Sequence, residues 1–408
     1  MTTRTVGQPT RLAEAIAARL ATPTLDADDR SGREQSLAHG AAGGALLHIE
    51  RALLGLGSWS TAHAWVATAT TRAVSAADDT GLYLGAPAIS FILHAAQADH
   101  TRRYGPALSA LGTHVALLAH RRVDAALART DRGDTATFAE YDLFSGLTGI
   151  GQLLLQHTPG NDALERILDY LVRLTRPSRA DHQQPGWWVS HHPDPQLPTP
   201  GGHTNLGLAH GISGVLAFLG AALRRGTSVD GHAEAIATIC AHLDAWRQDD
   251  EPGPWWPQWI TQDELRTGRT RQPGPLRPSW CYGTPGIARA QQIAALATGD
   301  TARQTMAEHA LAACLSDPAQ LAHVTDTGLC HGWSGLHQTA WRAAHDALSP
   351  EIGRQLPRLA ESLTQHADHD HNRDTGLLDG AAGVALALHT AARNEPPISG
   401  WDACLLIA

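Results

Sequence analysis

A five-residue glycine motif recurs seven times along this chain, and it constrains the fold more than any other feature of the sequence. The copies span residues 39–43, 84–88, 145–149, 210–214, 282–286, 331–335 and 379–383. Six copies have glycine at their second and fifth positions, and the copy at 84–88 ends in alanine. The first glycines lie about 57 residues apart on average, so the chain is predicted to be an array of similar supersecondary units.

Two kinds of helical pattern alternate along this array. The stretches that follow the motifs, such as 214–223 and 383–388, are apolar on nearly all sides, which is typical of buried helices. The stretches between the motifs instead carry apolar residues at three- and four-residue spacing, with charges on the opposite face. Examples of this second, amphipathic pattern are 62–76, 161–175, 232–246, 301–315 and 351–366.

These patterns predict an all-α fold, an α/α toroid in which seven inner helices are surrounded by seven outer helices. An open solenoid would need polar caps at its ends, whereas the first and last motif helices are both apolar and nearly alike. We therefore expect the array to close on itself, and we take residues 1–408 as a single domain.

Composition and charge exclude several classes of protein. The net charge is −9 and no basic block is present, which argues against binding a nucleic-acid backbone. The longest apolar stretches are far shorter than the roughly 20 residues of a membrane span, so an integral membrane protein is not expected. Residues 1–11 lack the features of a signal peptide, which predicts a cytoplasmic location. All 31 basic residues are arginine, so lysine Schiff-base chemistry is excluded.

The residue before each motif glycine is predicted to lie at the mouth of a buried helix. Glycine at such an entry permits a positive φ and close backbone approach. The residue before it could then point into a central cavity. The residues at this position are His39, Leu84, Ser145, His210, Tyr282, His331 and Asp379. Three histidines and an aspartate are more polar than a core lining should be, which favours a functional site at this mouth.

Two of the five cysteines occupy equivalent positions in consecutive repeats. Cys281 precedes Tyr282, and Cys330 precedes His331, so neighbouring repeats would bring the two thiols together. Two cysteines and a histidine with no evident fourth ligand are the pattern of a catalytic zinc site with an open position. On spacing alone, two buried thiols beside a hydrogen-bonded histidine remain an equal alternative.

The other three cysteines are interpreted as packing residues. An odd number of cysteines without a signal peptide does not indicate a disulfide framework. Cys240 and Cys314 lie within amphipathic stretches and are predicted to be core residues. Cys404 lies in an apolar tail and is expected to be packed or inert.

Two long proline-rich loops, 177–202 and 249–278, each carry a pair of tryptophans. Loops at one end of a toroid are natural binding surfaces, but lids that pack over helix ends are an equal alternative. The histidine tracts at 191–192 and 366–371 are interpreted as solvated loops.

Three motifs together carry a family resemblance. The segments 205–211 (NLGLAHG), 280–286 (WCYGTPG) and 330–332 (CHG) resemble the lanthionine synthetase C-like family, and more narrowly the stand-alone lantibiotic cyclases of class I pathways. The resemblance covers roughly residues 30 to 395. It implies an α/α toroid with one catalytic Zn²⁺ per chain. It also implies addition of cysteine thiols to dehydroalanine or dehydrobutyrine, which forms lanthionine or methyllanthionine rings.

The same resemblance implies partners and a metal-ligand set. The substrate would be a dehydrated precursor peptide with its leader. A dehydratase and a peptide transporter would join the protein in a biosynthetic complex, which would bring it to the periphery of the membrane. The metal ligands carried over by motif are Cys281, Cys330 and His331.

Four further active-site positions follow from the resemblance: His210, Asp142, Arg277 and Tyr282. Arg277 would stabilise the enolate that forms when a thiolate attacks a dehydro residue. His210 would protonate the α-carbon, because its ordinary pKa suits acid–base work near neutral pH. Asp142 would orient this histidine, although the two roles could be exchanged.

Two rival functions remain open at this point. A glycoside-processing α/α barrel could use carboxylates such as Asp142 and Asp379, but it would leave the Cys-His-Gly motif unexplained. A non-catalytic zinc protein of the same family could bind a peptide, or a thiol such as glutathione, without forming rings.

Overall fold

The chain is built almost entirely from α-helices. The computed structural model describes residues 7–23, 32–177, 183–194, 196–369 and 374–408. The helices within these ranges, in chain order, are α1 (Gly7–Arg19), α2 (Ala41–Leu53), α3 (Trp59–Ala69), α4 (Ala86–Ala95), α5 (Gly105–Arg132), α6 (Phe138–Tyr141), α7 (Leu147–His157), α8 (Asp162–Leu174), α9 (Ile212–Arg224), α10 (His232–Trp246), α11 (Gln262–Thr267), α12 (Thr284–Thr298), α13 (Thr301–Ser316), α14 (Pro318–Leu321), α15 (Trp333–Asp346), α16 (Leu356–His369) and α17 (Ala381–Arg393).

Seven of these helices form a closed inner ring, as the sequence predicts. Each begins directly after the first glycine of a motif: α2, α4, α7, α9, α12, α15 and α17. Each contacts the next one along the chain, and α17 contacts α2. Nearly every residue of α9 and α17 is buried, which explains why these stretches are apolar on all sides. The toroid prediction is therefore confirmed.

Seven further helices form the outer layer, namely α1, α3, α5, α8, α10, α13 and α16. Helices α3, α5, α8, α10, α13 and α16 each pack on the inner helix that precedes them in the chain. Helix α1 is different, because it packs on the last inner helix, α17, and beside α16. An ion pair between Glu14 of α1 and Arg51 of α2 (2.9 Å) joins the two ends of the ring. The N-terminal segment thus supplies the seventh outer helix.

The loops before the inner helices are linked by a second, backbone ring. In each link a backbone N–H of one loop donates to a carbonyl oxygen of the next loop, at 3.0 to 3.3 Å. The donor and acceptor pairs are Leu37 to Tyr83, Tyr83 to Phe144, Leu143 to Ala209, Ala209 to Cys281, Cys281 to Cys330, Cys330 to Leu378 and Leu378 to Ala38. These hydrogen bonds hold the residues before the motif glycines side by side at one end of the toroid.

Close packing, rather than unusual backbone angles, explains most of the motif glycines. Among the first glycines only Gly85 has a positive φ, of 72°. At Gly146 an added Cβ would overlap the backbone of Asp142, and at Gly149 it would overlap the carbonyl oxygen of Leu143. The loop therefore lies directly against the helix that it introduces, and a methyl group has no room there.

The C-terminal segment fills the inside of the ring. Residues Trp401–Leu405 form a 3₁₀-helix, and residues 401–407 are all buried. Main-chain carbonyls of this segment accept hydrogen bonds from side chains of different repeats. The donor and acceptor pairs are Tyr83 to Cys404 (2.9 Å), Gln152 to Ala403 (3.1 Å), Trp280 to Leu405 (2.8 Å) and Arg289 to Ile407 (3.0 Å). The C-terminal segment therefore forms a packed layer inside the ring, and Cys404 is one of the residues of this layer.

The two proline-rich loops pack together into a small lobe. Strand β1 (His203–Asn205) pairs antiparallel with β4 (Trp259–Thr261), and β2 (Gln248–Asp250) forms a hairpin with β3 (Gly253–Trp255). Both tryptophan pairs are buried, so they act in packing. The expectation of a loop at 366–371 is wrong for 366–369, because these residues form the last turn of α16; residues 370–371 lie outside the described ranges. None of the described helices is both long and apolar enough to cross a membrane.

Candidate metal centre and its acid–base pair

Three potential metal ligands meet at the mouth of the ring. Cys281 lies in the loop before α12, and Cys330 and His331 lie in the loop before α15. The ligand atoms of these residues are all within 4.8 Å of one another, and they form the one such cluster of three found among the described residues. The backbone hydrogen bond from Cys281 to Cys330 (3.3 Å) holds the two loops in register.

The chemistry of this cluster suits a thiophilic metal. Hydrogen bonds from Cys330, His331 and Ser279 lower the pKa of Cys281, so one thiolate is favoured here before any metal binds. By contrast, burial raises the pKa of Cys240 to about 11 and that of Cys404 to about 12. Two thiols and an imidazole at this separation fit a tetrahedral zinc site that keeps one position for another ligand.

A histidine–carboxylate pair lies in the loops next to this cluster. His210 Nδ1 is 2.6 Å from Asp142 Oδ2. The other carboxylate oxygen of Asp142 accepts the backbone N–H groups of Ser145 (2.8 Å) and Gly146 (2.7 Å). Asp142 is only 3% exposed, whereas the His210 side chain is 32% exposed. Asp142 is thus fixed and buried, whereas His210 is partly exposed and its second ring nitrogen, Nε2, is not used in this contact.

Arg277 and Asp326 lie beside His331. The guanidinium of Arg277 is 3.6 Å from Asp326 Oδ2, and His331 Nε2 is 3.6 Å from the same oxygen. The hydrogen bond to Cys281 and burial raise the pKa of Cys330, and the positive charge of Arg277 opposes this rise. The structure therefore brings Arg277 beside the three potential ligands.

Aromatic rings line the wall around His210. The ring of Phe144 stacks on His210 with centroids 4.7 Å apart, and Phe138 lies at 5.7 Å. Tyr282 is 6.1 Å from His210 and 6.4 Å from Trp259, and burial raises its pKa. Tyr282 thus remains a neutral phenol at the edge of the mouth.

Comparison with known proteins then decides the family. The sequence model of a protein family, described as "Lanthionine synthetase C-like protein", matches residues 31–406 of this chain. The chain belongs to this family. The nisin biosynthesis protein NisC of Lactococcus lactis subsp. lactis is 24% identical over 326 residues, which cover 75% of this chain and 72% of that protein. A solved structure of nisin cyclase superposes with a TM-score of 0.82 at 21% identity, covering 97% of each chain.

All seven site residues predicted for this family member lie in the loops at one end of the ring. The structure brings Cys281, Cys330 and His331 together, and it pairs His210 with Asp142. The carboxylate of Asp142 is occupied by His210 and two backbone N–H groups, so this residue does not suit the role that the glycosidase alternative gave it, where a carboxyl group must face the substrate.

The sequence interpretation missed three residues of this site. The aromatic neighbours Phe138 and Phe144 carry no motif that distinguishes them from core residues. Asp326 had a visible signal, because the sequence Asp-Thr-Gly-Leu occurs at 79–82, 326–329 and 374–377, each time six residues before a motif glycine. The histidine tract at 191–192 lies in a loop, as expected, and His192 is exposed, but the half-buried His191 accepts the backbone N–H of Phe138 (3.2 Å) and packs against its ring.

Proposed function

We propose that this protein is a zinc-dependent lanthionine cyclase. It would add cysteine thiols of a dehydrated precursor peptide to dehydroalanine or dehydrobutyrine, forming lanthionine or methyllanthionine thioether rings. The observation that carries the proposal is the cluster of Cys281, Cys330 and His331 at the mouth of a toroid of this family. We take residues 1–408 as one cyclase domain.

The three ligands would hold one Zn²⁺ and leave a position for the substrate. Zinc in such a site lowers the pKa of a bound thiol, so that the substrate cysteine reacts as a thiolate. The chain's own contribution is the pair of anionic sulfurs, which keeps the site electron-rich. Cys281 is buried, whereas Cys330 and His331 are partly exposed, so the substrate would approach from their side.

His210 would deliver the proton that completes the reaction. When the thiolate forms a bond to the β-carbon, the electron pair of the double bond moves toward the neighbouring carbonyl and forms an enolate. The Nδ1 of His210 is held by Asp142, so Nε2 would carry the proton to the α-carbon. Because Asp142 is buried and fully engaged, we assign it the role of orienting His210 rather than of contacting substrate.

Arg277 and Tyr282 would each act on the substrate. A guanidinium beside the cysteines can stabilise the negative charge of the enolate oxygen. Tyr282, as a neutral phenol near His210, can donate a hydrogen bond to the peptide. Both assignments rest on position within the mouth.

The proposed partners follow from this reaction. The substrate is a precursor peptide that a dehydratase has already modified, and a leader segment would carry it to the cyclase. We propose a cytoplasmic protein that reaches the membrane periphery only through a complex with the dehydratase and a peptide transporter.

Ring formation is tested directly by counting thiols. Purified protein is incubated with a dehydrated precursor, free thiols are alkylated, and the added mass is measured. We expect the wild-type protein to contain one zinc and to consume one thiol per ring. Cys330→Ala should lose both zinc and ring formation, because it removes a ligand that the other two cannot replace.

The matched control is Cys240→Ala, which deletes a buried thiol of the outer helix α10 that belongs to no motif loop. This variant should keep its zinc and its activity. Cyclisation by Cys330→Ala would contradict the mechanism. Zinc binding without ring formation by the wild-type protein would favour the non-catalytic alternative, a zinc protein that binds a peptide or a thiol.

A further inference from the structure

One carboxylate oxygen lies between a proposed metal ligand and the active-site arginine. Oδ2 of Asp326 is 3.6 Å from His331 Nε2 and 3.6 Å from a terminal nitrogen of Arg277. Asp326 is six residues before Gly332, the motif glycine that directly precedes α15. The three motifs that carry the family resemblance do not include Asp326.

The other oxygen of Asp326 fixes the position of the carboxylate. Oδ1 accepts the backbone N–H of Gly328 (3.2 Å), and it lies so close to Gly332 that a Cβ there would overlap it. The main-chain carbonyl of Asp326 accepts the N–H of Trp333 at the start of α15 (3.0 Å). Oδ2 is therefore held by the loop and directed at His331 and Arg277.

A carboxylate at one ring nitrogen decides which nitrogen remains for a metal. With Nε2 of His331 facing Asp326, Nδ1 is left for the ion that Cys281 and Cys330 would share. Metal-bound histidines usually donate their second ring N–H to such a partner, which fixes the tautomer and makes the ligand more basic.

We propose that Asp326 is a positioning residue of the metal centre, which orients His331 through Nε2 and holds Arg277 beside the same ligand. This inference rests on the proposed metal site. It assigns to Asp326 a role in metal affinity and in the placement of Arg277, and no direct contact with the substrate.

The chain contains a matched position for a control. Asp374 occupies the same place in the next repeat, within a second Asp-Thr-Gly-Leu segment. Its Oδ1 also accepts a backbone N–H, from Gly376 (2.8 Å), but its Oδ2 faces His39 Nδ1 (3.4 Å) rather than a proposed metal ligand. Asn at either position keeps an oxygen for the loop N–H and removes the charge.

The experiment compares Asp326→Asn with Asp374→Asn in the full-length protein. Zinc affinity of the metal-free proteins is measured by competition with a chromophoric chelator, and the absorption spectrum is recorded after loading with Co²⁺. We expect Asp326→Asn to bind zinc about 10- to 100-fold more weakly and to shift the Co²⁺ bands. Asp374→Asn should match the wild type in both measurements, and the two variants should lose similar thermal stability.

The possible failures are distinguishable. If the wild-type protein binds no zinc, the proposed metal function itself fails. If the wild type binds zinc and Asp326→Asn binds it equally well, with an unchanged Co²⁺ spectrum, only the role of Asp326 is refuted. An equal loss of affinity in both variants would also refute it, because the effect would then come from the loop fold rather than from His331.

Discussion

Replacement of Asp142 by asparagine should change the orientation of His210 without changing the fold around it. The amide oxygen of the variant can keep the hydrogen bonds from Ser145 and Gly146, which now end on Oδ1. The amide NH₂ then faces His210 Nδ1 in place of Oδ2, at the 2.6 Å contact. Because an amide NH₂ only donates, Nδ1 must accept, and His210 loses the N–H···O contact through which Asp142 orients its ring.

The expected loss can be estimated from this change. A positioned general acid contributes about 10²- to 10⁴-fold to a rate, which corresponds to roughly 3–5 kcal/mol in the barrier. Asp142→Asn should therefore slow cyclisation by about that factor, while the zinc content stays constant because Asp142 is not a ligand. The free energy of unfolding should fall by only about 0.3–1 kcal/mol, the usual effect of a charge at a helix N-terminus, here that of α7.

The assay is single-turnover cyclisation of a dehydrated precursor, with the reaction without enzyme subtracted. Asp374→Asn is the matched control, since Asp374 forms another aspartate–histidine pair in the motif loops, with His39 (3.4 Å). This control should cyclise at the wild-type rate. A wild-type rate for Asp142→Asn would refute the proposed role of His210 as an acid oriented by Asp142.

Three further predictions concern stability. Trp280→Phe removes the donor to the buried carbonyl of Leu405, and should lower the free energy of unfolding by about 1–3 kcal/mol in urea titration; an unchanged midpoint would contradict the role of the C-terminal segment. Gly149→Ala should destabilise the protein, because its methyl group would overlap the Leu143 carbonyl. Gly112→Ala in α5, where an added Cβ meets no atom within 4 Å, should stabilise the protein by up to about 1 kcal/mol. Thermal unfolding that ranked the two variants in the opposite order would contradict the packing argument. Burial lowers the pKa values of four buried histidines to about 4. The unfolded chain therefore binds more protons than the folded chain between pH 6.5 and 4. The free energy of unfolding should then fall by about 2 kcal/mol per histidine from pH 7 to 5. Urea titrations at the two pH values would check this, and equal stability would contradict it; the histidines are His48, His203, His337 and His389.

The repeat made the inner ring and the meeting of the two cysteines predictable. Cys281 and Cys330 hold the same place in consecutive motifs, so any ring of these repeats brings them together. Helix α1 was harder to predict, because its partner α17 lies at the other end of the chain and its own sequence is rich in alanine with few large apolar residues. The tail at 401–408 was also unpredictable, since a short apolar segment does not reveal which cavity it fills.

The role of Asp326 could not be read from its motif, because identical segments have different neighbours. Asp326 faces His331 of its own repeat, whereas Asp374 faces His39 of the next repeat around the ring. The backbone requirement that places each aspartate is the same, an N–H two residues later. The two aspartates differ in the histidine that each of them faces, and only the closure of the ring determines which histidine that is.

The orientation of the inner helices gives this acidic chain a favourable place for anions. All seven inner helices begin at the mouth, and their N-caps are glycines without a side-chain cap. Each N-terminus carries a partial positive charge that stabilises a nearby anion by roughly 0.3–1 kcal/mol. The thiolates of Cys281 and Cys330 and the proposed enolate would form at this end. A side-chain oxygen at these caps would satisfy the same N–H groups and reduce that stabilisation, so glycine serves both the close packing and the electrostatics of the site.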